Sequence, residues 1–321
     1  MYKILPFISE ETILSEYKDH QDLESSYGDY VDGIELIHCG FDGHKHIRNE
    51  KVIGVHLPFY SDWLSFWLNN QAILMREFGS SKTWESFYGS SNPEILISFF
   101  QQEMDYAQEI GAKYVVFHVS NVTISETYSF DFDYSDEEVI DATISLINIL
   151  MAGKQYSFEL LLENLPWPGL NFTSSRLAKK LVDGIHYENV GFMLDTGHMM
   201  TTNWNIKSSE DGINYIYNWF QQNFELIPYV RGIHLHQSIV GDYLRNNLNN
   251  PIPFEADFYK RFAQAYEHVL KIDQHDILDS KQGKKLIDFL SPKYLVYEFR
   301  STNHKEREEK LKQQDQILYP D

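Results

Sequence analysis

Residue types that bind transition metals stand at the ends of six short apolar segments of this chain. Each segment carries a histidine or a carboxylate at its end, and no lysine lies near these ends to explain the carboxylates as ion pairs. Neutral imidazole and carboxylate are ligands of Zn, Mn and Fe, whereas the same groups buried without a partner are costly. The candidate ligands are His56, His118, Glu163, Asp195 with His198 three residues later, His234 and Glu298.

An Asp-x-His pair, Asp273 and His275, has the spacing of a further ligand pair. It lies in "VLKIDQHDIL" (269–278), directly after an apolar run. Alone, the pair is also typical of a polar turn, because aspartate is common in turns. The metal role therefore depends on the other candidates.

Three further residues are candidates for contact with a substrate. Glu35 in "GIEL" offers a second acid or base, and Trp167 in "NLPWPG" offers a ring that stacks on a sugar or base, with packing as the alternative. His236 projects to the same strand face as His234, so it either contacts substrate or faces solvent. The loop 39–48 would meet a phosphate or form a polar surface through His44, Lys45, His46 and Arg48.

Eight apolar segments alternate with helical patterns along the chain. Near-continuous apolar runs are typical of parallel strands covered on both faces, and eight of them with helical crossovers predict a single (β/α)8 barrel. A doubly wound sheet is the alternative, but no glycine-rich phosphate turn follows any predicted strand. The predicted strands cover 2–8, 33–38, 52–57, 113–119, 158–163, 190–195, 230–236 and 294–299.

Helix signals support the same arrangement. Residues 92–112 and 136–153 have helical patterns that end at a glycine. An additional helix is predicted at 256–271, inside a segment (237–272) that is longer than one crossover needs. We expect the barrel to occupy residues 1–302 with this insertion between strands 7 and 8, followed by a charged, solvated C-terminal tail at 303–321.

Composition narrows the class of protein. The formal net charge of −20 opposes loose binding to nucleic acid or anionic membranes, although divalent metals can supply positive charge locally. Cys39 is the single cysteine, so no disulfide framework can form and a reducing compartment is expected. The sequence shows neither a signal peptide core nor a run of 18 apolar residues, and we expect a cytoplasmic protein.

The ordered motifs of the chain resemble the xylose isomerase-like TIM barrel superfamily, and within it the endonuclease IV (AP endonuclease) branch. The motifs are "VHLPFY", "FHVS", "LLENL", "FMLDTGH", "RGIHLH", "DQH" and "YEF". The resemblance implies three metals in the barrel mouth. His56, His118 and Glu163 would hold one metal, and Glu163 would bridge to a second, completed by Asp195, His234 and Glu298. His198, Asp273 and His275 would hold the third.

The resemblance also implies a reaction. Phosphoester hydrolysis by a metal-bound hydroxide would proceed at Glu163, Glu298 and His234, with zinc as the expected metal and Mn, Fe or Co as alternatives. The substrate would be a phosphoester such as damaged DNA. This chain departs from the endonuclease pattern in reading "HLHQ" where that branch resembles "HLND", and in placing residues 235–272 between His234 and Asp273.

The alternative function within the same superfamily is a sugar or sugar phosphate isomerase or epimerase. It would need a single Mn, Co or Mg held by Glu163, Asp195, His234 and Glu298, with carboxylates moving a proton beside a carbonyl. The acidic surface and Glu35 favour this alternative, whereas the additional histidines favour the hydrolase.

Overall fold

The chain folds into a closed barrel of eight parallel strands in sequential order, with helices outside it. A computed structural model describes residues 1–39 and 46–320. Every strand lies within one residue or two of its predicted range, and the prediction of a (β/α)8 barrel is confirmed. The strands are β1 (Tyr2–Ile8), β2 (Gly33–Ile37), β3 (Val52–His56), β4 (Tyr114–His118), β5 (Glu159–Glu163), β6 (Val190–Asp195), β7 (Val230–Leu235) and β8 (Tyr294–Tyr297).

Helices fill the connections between strands. In the described residues they are α1 (Glu11–Leu14), α2 (His20–Tyr27), α3 (Leu64–Trp67), α4 (Gln71–Phe78), α5 (Ser81–Tyr88), α6 (Ile95–Glu109), α7 (Ile124–Ser129), α8 (Asp136–Met151), α9 (Ser175–Gly184), α10 (Thr196–Thr201), α11 (Ser209–Gln222), α12 (Gly241–Asn249), α13 (Phe258–Ile272), α14 (Gln282–Leu290) and α15 (His304–Leu318). Short 3-10 turns cover Asn49–Lys51 and Phe224–Tyr229. Among these described helices, none is long and apolar enough to cross a membrane.

Local signals explain the two longest predicted helices. Ser135 caps α8 and exchanges hydrogen bonds with Glu138 in a capping box, which satisfies otherwise free N–H groups of the first turn. Past the end of α6, Gly111 adopts a φ of +76°, a left-handed conformation that favours glycine. Both helices therefore begin and end close to the positions that their sequences predict.

Alternate residues of each strand face the barrel interior, and this register places the polar candidates. Aliphatic and aromatic side chains such as Val116 and Leu161 form a small cluster inside the barrel. Two residues further along the same strands, His118 and Glu163 point to the same side, one level closer to the carboxyl ends. A hydrophobic floor thus supports a polar layer at the mouth.

The insertion between β7 and β8 contains two helices. Helix α13 matches the additional helix predicted from sequence, and α12 precedes it. His268 of α13 stacks on Tyr128 of α7 with ring centroids 3.8 Å apart and receives a 2.7 Å hydrogen bond from Tyr243 of α12. These contacts attach the insertion to the barrel on the side of the mouth.

The C-terminal segment differs from the expected solvated tail. Its helix, α15, is present, but Leu311, Gln314 and Leu318 are buried against the barrel. Gln314 accepts a 2.7 Å hydrogen bond from the backbone of Leu278. Charged residues of the same helix also contact the barrel, since Asp315 accepts hydrogen bonds from Lys3 at 2.6 Å and from the Tyr297 hydroxyl at 3.2 Å.

Candidate metal centre

The candidate ligands converge at the carboxyl ends of the strands. His56, His118, Glu163 and Asp195 are the last residues of β3, β4, β5 and β6, and His234 lies one residue before the end of β7. Glu298 directly follows β8. Since all eight strands run in parallel, these ends meet at one mouth of the barrel. The structure therefore brings together residues that are far apart in the sequence.

A first donor group consists of His56, His118 and Glu163. The Nε2 atoms of the two histidines lie 3.0 Å apart, and they are 3.1 and 3.2 Å from Glu163 Oε2. Donors at about 2.0–2.1 Å from a tetrahedral ion are separated by about 3.3 Å, close to these spacings. His56 Nδ1 donates to the Leu57 carbonyl oxygen at 2.9 Å, which leaves the Nε2 lone pair free for a metal.

A second donor group consists of Glu163, Asp195, His234 and Glu298. His234 Nδ1 lies 3.2 Å from Glu163 Oε1, 3.0 Å from Glu298 Oε2 and 3.9 Å from Asp195 Oδ2. Glu163 faces the first group with one carboxylate oxygen and the second group with the other. This orientation suits a carboxylate that bridges two cations.

Glu35 lies beneath His234 and holds it. The Glu35 carboxylate is fully buried, its Oε1 lies 3.1 Å from His234 Nε2, and its Oε2 accepts a 2.7 Å hydrogen bond from the Tyr114 hydroxyl. A proton on Nε2 leaves Nδ1 free to face the second group. The expected contact between Glu35 and substrate is therefore not available, because the side chain points into the barrel below the ligands.

A third donor group consists of Asp195, His198, His236 and His275. The other residue of the Asp-x-His pair lies beside it, since Asp273 Oδ2 is 3.4 Å from His198 Nε2 and 3.3 Å from His275 Nε2. His198 Nδ1 donates to the Asn164 carbonyl oxygen at 2.8 Å, which directs its Nε2 toward Asp273. Asp273 and His275 therefore lie close enough to His198 to complete a third donor group, although the insertion separates them from β7 in the sequence.

His236 does not occupy the predicted location. It was expected to contact substrate or to face solvent, but it is fully buried, with Nε2 2.8 Å from Asp195 Oδ2. Its ring lies 4.2 Å from that of His275, centroid to centroid. His236 lies among the candidate ligands because it follows His234 by two positions on the same strand face. That two-residue spacing is the feature of the sequence that indicates its location.

The residues 273–276, which we call the Asp-x-His loop, are fixed by both neighbouring strands. Gln237 and Asp276 exchange backbone hydrogen bonds of 2.9 and 3.2 Å in an antiparallel bridge. From the end of β8, Arg300 donates to the Asp273 carbonyl oxygen at 2.8 Å and to that of Leu270 at 3.0 Å. His275 has a φ of +48°, so the loop holds a non-glycine residue in the left-handed region.

The electrostatics of the mouth are dominated by carboxylates and imidazoles. Burial lowers the pKa of the His234 imidazole, but Glu298, Glu35 and Glu163 outweigh burial and hold that pKa well above its usual value. Burial likewise lowers the pKa of His198, and Asp195 and Asp273 raise it well above the usual value. For His118 and His275 burial prevails, and their pKa values are lowered.

Several polar atoms of the mouth are buried without a hydrogen-bond partner in the described part of the chain. They include His236 Nδ1, His275 Nε2 and Asp273 Oδ1. Buried polar groups are normally satisfied, so a set of unsatisfied donor atoms around one space requires an explanation. Divalent cations fit, because these donors are the ligand types that Zn, Mn and Fe prefer.

The remaining sequence candidates lie away from this layer. Trp167 is buried and packs on Phe130, with ring centroids 5.5 Å apart. Arg48 pairs with Glu24 at 2.6 Å, and His46 Nε2 lies 3.0 Å from the Tyr17 carbonyl oxygen. His44 and Lys45 lie outside the described residues.

Phe59 was not singled out in the sequence, although it lies three residues after His56. Its ring lies 4.0 Å from that of His118, centroid to centroid, while 51% of the residue remains exposed. An aromatic ring that covers a ligand and also faces solvent at the mouth is available for stacking on a substrate. The motif "VHLPFY" contained this residue, but only the fold shows its exposure.

Comparison with known proteins agrees with the barrel fold. A family model described as xylose isomerase-like TIM barrel matches residues 52–278, more than half of the chain. No curated protein sequence matches the chain.

Solved structures resemble the chain over almost its whole length. Endonuclease IV from Thermus thermophilus has 12% identity and a TM-score of 0.51, with 99% of each chain covered. The IOLI protein with a binding zinc atom has 14% identity and a TM-score of 0.53, covering 99% of this chain and 98% of the other. A D-tagatose 3-epimerase-like protein has 13% identity and a TM-score of 0.49, with the same coverage. At the identities of the first two structures the likeness shows the shared fold.

Proposed function

The chain belongs to the xylose isomerase-like TIM barrel family, and from this premise we propose that it is a metal-dependent hydrolase of phosphoesters similar to endonuclease IV. One observation carries the proposal. Three donor groups lie side by side, with Glu163 shared by the first two and Asp195 shared by the last two. A single-metal enzyme would need only the second group, and the histidines of the other two groups would then have no metal to bind.

The proposed cations are zinc, up to three per chain, with Mn, Fe or Co as alternatives. The residues that would hold them are His56, His118, Glu163, Asp195, His198, His234, Asp273, His275 and Glu298. When bound, such cations lower the pKa of water and offset the negative charge that develops on a phosphoester. Hydrolysis of this kind requires no protein nucleophile.

The proposed role of the side chains is to position the cations and the protons around them. Glu163 divides its two oxygens between the first and second groups, which would fix the separation of two cations. Glu35 keeps the His234 proton on Nε2, away from the second group. Glu298 completes that group from β8. We therefore assign the reacting position to the space between Glu163, His234 and Glu298.

Exposure indicates where a substrate would enter. Asp195 and His234 have fully buried side chains, whereas the side chains of His118, Glu298 and His275 are 11%, 16% and 22% exposed. A phosphoester would therefore approach across the rim formed by these three residues. The exposed ring of Phe59 adjoins this rim beside His118 and could contact a sugar or base.

A sugar isomerase or epimerase is the second candidate, and the net charge favours it. The formal charge of −20 repels a polyanionic duplex, and a small neutral sugar would not experience this repulsion. Glu163, Asp195, His234 and Glu298 would suffice for the single metal of such an enzyme.

Metal stoichiometry separates the two candidates. The full chain would be stripped with a chelator, reloaded with zinc, passed over a desalting column and analysed by mass spectrometry for metal per chain. About three equivalents support the hydrolase, and one equivalent supports the isomerase. Glu163→Gln should lower the metal content, whereas His304→Ala, whose side chain is 46% exposed, is the matched control.

Substrate assays follow on the loaded protein. We expect hydrolysis of a small activated phosphodiester, abolished by the chelator and restored by zinc. An abasic-site duplex tests DNA as the substrate at low and at physiological salt. Cleavage of the small diester without cleavage of the duplex would retain the hydrolase and reject DNA.

A further inference from the structure

The imidazole of His236 has a buried place in the ligand layer that no resemblance assigns to it. His236 directly follows β7, two residues after His234, so both side chains face the barrel interior. Gly197, in the first turn of α10, lies against the His236 ring, and a Cβ atom there would clash with it. The absence of a side chain at Gly197 therefore provides the space that the His236 imidazole occupies.

The donor atoms of His236 face other potential ligands. One ligand atom from each of Asp195, His198, His236 and His275 lies within 4.8 Å of the others. His236 Nε2 is 2.8 Å from Asp195 Oδ2, while Nδ1 is buried without a hydrogen-bond partner in the described residues. His275 Nε2 is also buried and unpartnered there. Imidazole nitrogens that are desolvated in this way are costly unless a cation or a proton joins them.

We propose that His236 is a fourth protein ligand of the third metal, next to His198, Asp273 and His275; this inference rests on the proposed function. The 2.8 Å contact between His236 and Asp195 has the length of a hydrogen bond and requires a proton in the absence of metal. A cation bound to His236 Nε2 would take the place of that proton, with Asp195 left to the second donor group.

A fourth protein ligand changes what the third metal does. A zinc site with three protein ligands keeps a position for water or substrate, whereas His198, His236, His275 and Asp273 together would close the site to them. The third metal of this chain then ties the Asp-x-His loop to α10 and to the end of β7. The loop is the return of the insertion to the barrel, and it contains His275 in a left-handed conformation. The third metal would therefore hold the insertion against the barrel.

The test uses the full chain reloaded with zinc or with Co²⁺. His236→Gln keeps an N–H group for Asp195 but removes the imidazole, and Gly197→Ala pushes the imidazole away without deleting it. His275→Ala is the reference for loss of the third metal, and His304→Ala is the exposed control. Readouts are metal per chain, the intensity of the Co²⁺ absorption bands, and amide hydrogen exchange of residues 273–276.

We expect His236→Gln and Gly197→Ala to lose about one metal equivalent, as His275→Ala does. The loss should weaken the Co²⁺ bands and speed exchange in the Asp-x-His loop about tenfold, since the loop then opens locally. Melting of the chelator-treated variants, compared with chelator-treated wild type, identifies a variant that fails to fold.

Two outcomes are distinguishable. If the wild-type chain binds three metals and His236→Gln also binds three with unchanged Co²⁺ bands, His236 only donates a hydrogen bond to Asp195, and the inference is overturned while the proposed function stands. If the wild-type chain binds a single metal, the proposed function fails, and the inference fails with it.

Discussion

Replacing Glu35 with glutamine tests whether the carboxylate beneath His234 sets the affinity of the second donor group for a metal ion. Glu35 belongs to none of the three donor groups; its oxygens are 3.1–3.2 Å from His234 Nε2, and its Oε2 is 2.7 Å from the Tyr114 hydroxyl. In Glu35→Gln the amide oxygen can still accept from His234, since the Tyr114 hydroxyl can turn and accept from the amide N–H. The substitution therefore removes the negative charge and preserves the shape.

The size of the effect follows from that difference. A hydrogen bond to a charged group contributes about 1.5–3 kcal/mol, and a neutral one about 0.5–1.5 kcal/mol. The loss of about 1–1.5 kcal/mol corresponds to metal binding weakened about tenfold. Removal of outer partners of metal-bound histidines typically weakens binding by about 10–100-fold, which brackets this value.

The assay is a zinc titration of the full chain in competition with a chromophoric chelator, fitted to stepwise constants. One of the bound equivalents should weaken about tenfold in Glu35→Gln, and the others should stay unchanged. Tyr114→Phe is the matched control, because it leaves the carboxylate next to His234 and should change the affinity less than about threefold. Unchanged constants in Glu35→Gln, or an equal effect in Tyr114→Phe, would refute the role assigned to Glu35.

Three further predictions concern the rest of the mouth. His275→Ala should remove about one metal equivalent, with His304→Ala as the unaffected control; an unchanged metal count would contradict the three-metal proposal. Arg300→Gln should speed amide exchange in the Asp-x-His loop about tenfold, because the hydrogen bonds to the carbonyl oxygens of Asp273 in the loop and of Leu270 just before it are lost; exchange that matches wild type would show that the bridge to Gln237 suffices. The pKa values of His198 and His234 are raised in the metal-free fold, so their contribution to stability is present below about pH 6.5 and is lost as the pH rises through the folded pKa values. The melting temperature of the metal-free protein should fall along that rise, while zinc affinity increases because fewer protons are displaced; a melting temperature that rises over the same range would contradict these shifts.

The barrel was predictable because each of its signals is local. Near-continuous apolar runs identify the strands, and terminal glycines such as Gly111 mark the ends of the helices between them. The parallel order of eight such units leaves few arrangements, and it requires the strand ends to meet. For that reason His118 and Glu163, the last residues of β4 and β5, could be placed at one mouth from sequence alone.

Other features depended on contacts between distant parts of the chain. The direction of Glu35 follows from its place on the interior face of β2, where Tyr114 and His234 reach it from β4 and β7. The burial of Trp167 depends on Phe130, which arrives from the loop after α7. The C-terminal helix hides Leu311 and Leu318 behind a charged face, and no strong periodicity indicated which residues were covered.

The sequence by itself determined which side chains the mouth contains, since His56, His118, Glu163, Asp195 and the other candidate ligands stand at the ends of the predicted strands. The tertiary structure alone decided how many donor groups those residues form. His236 enters the third group, and Asp273 and His275 return to it across the insertion of residues 237–272, only because β6, β7 and β8 are neighbours in a closed barrel. Residue spacing in the sequence cannot show which of these side chains come into contact, because the contacts arise from barrel closure and not from local periodicity.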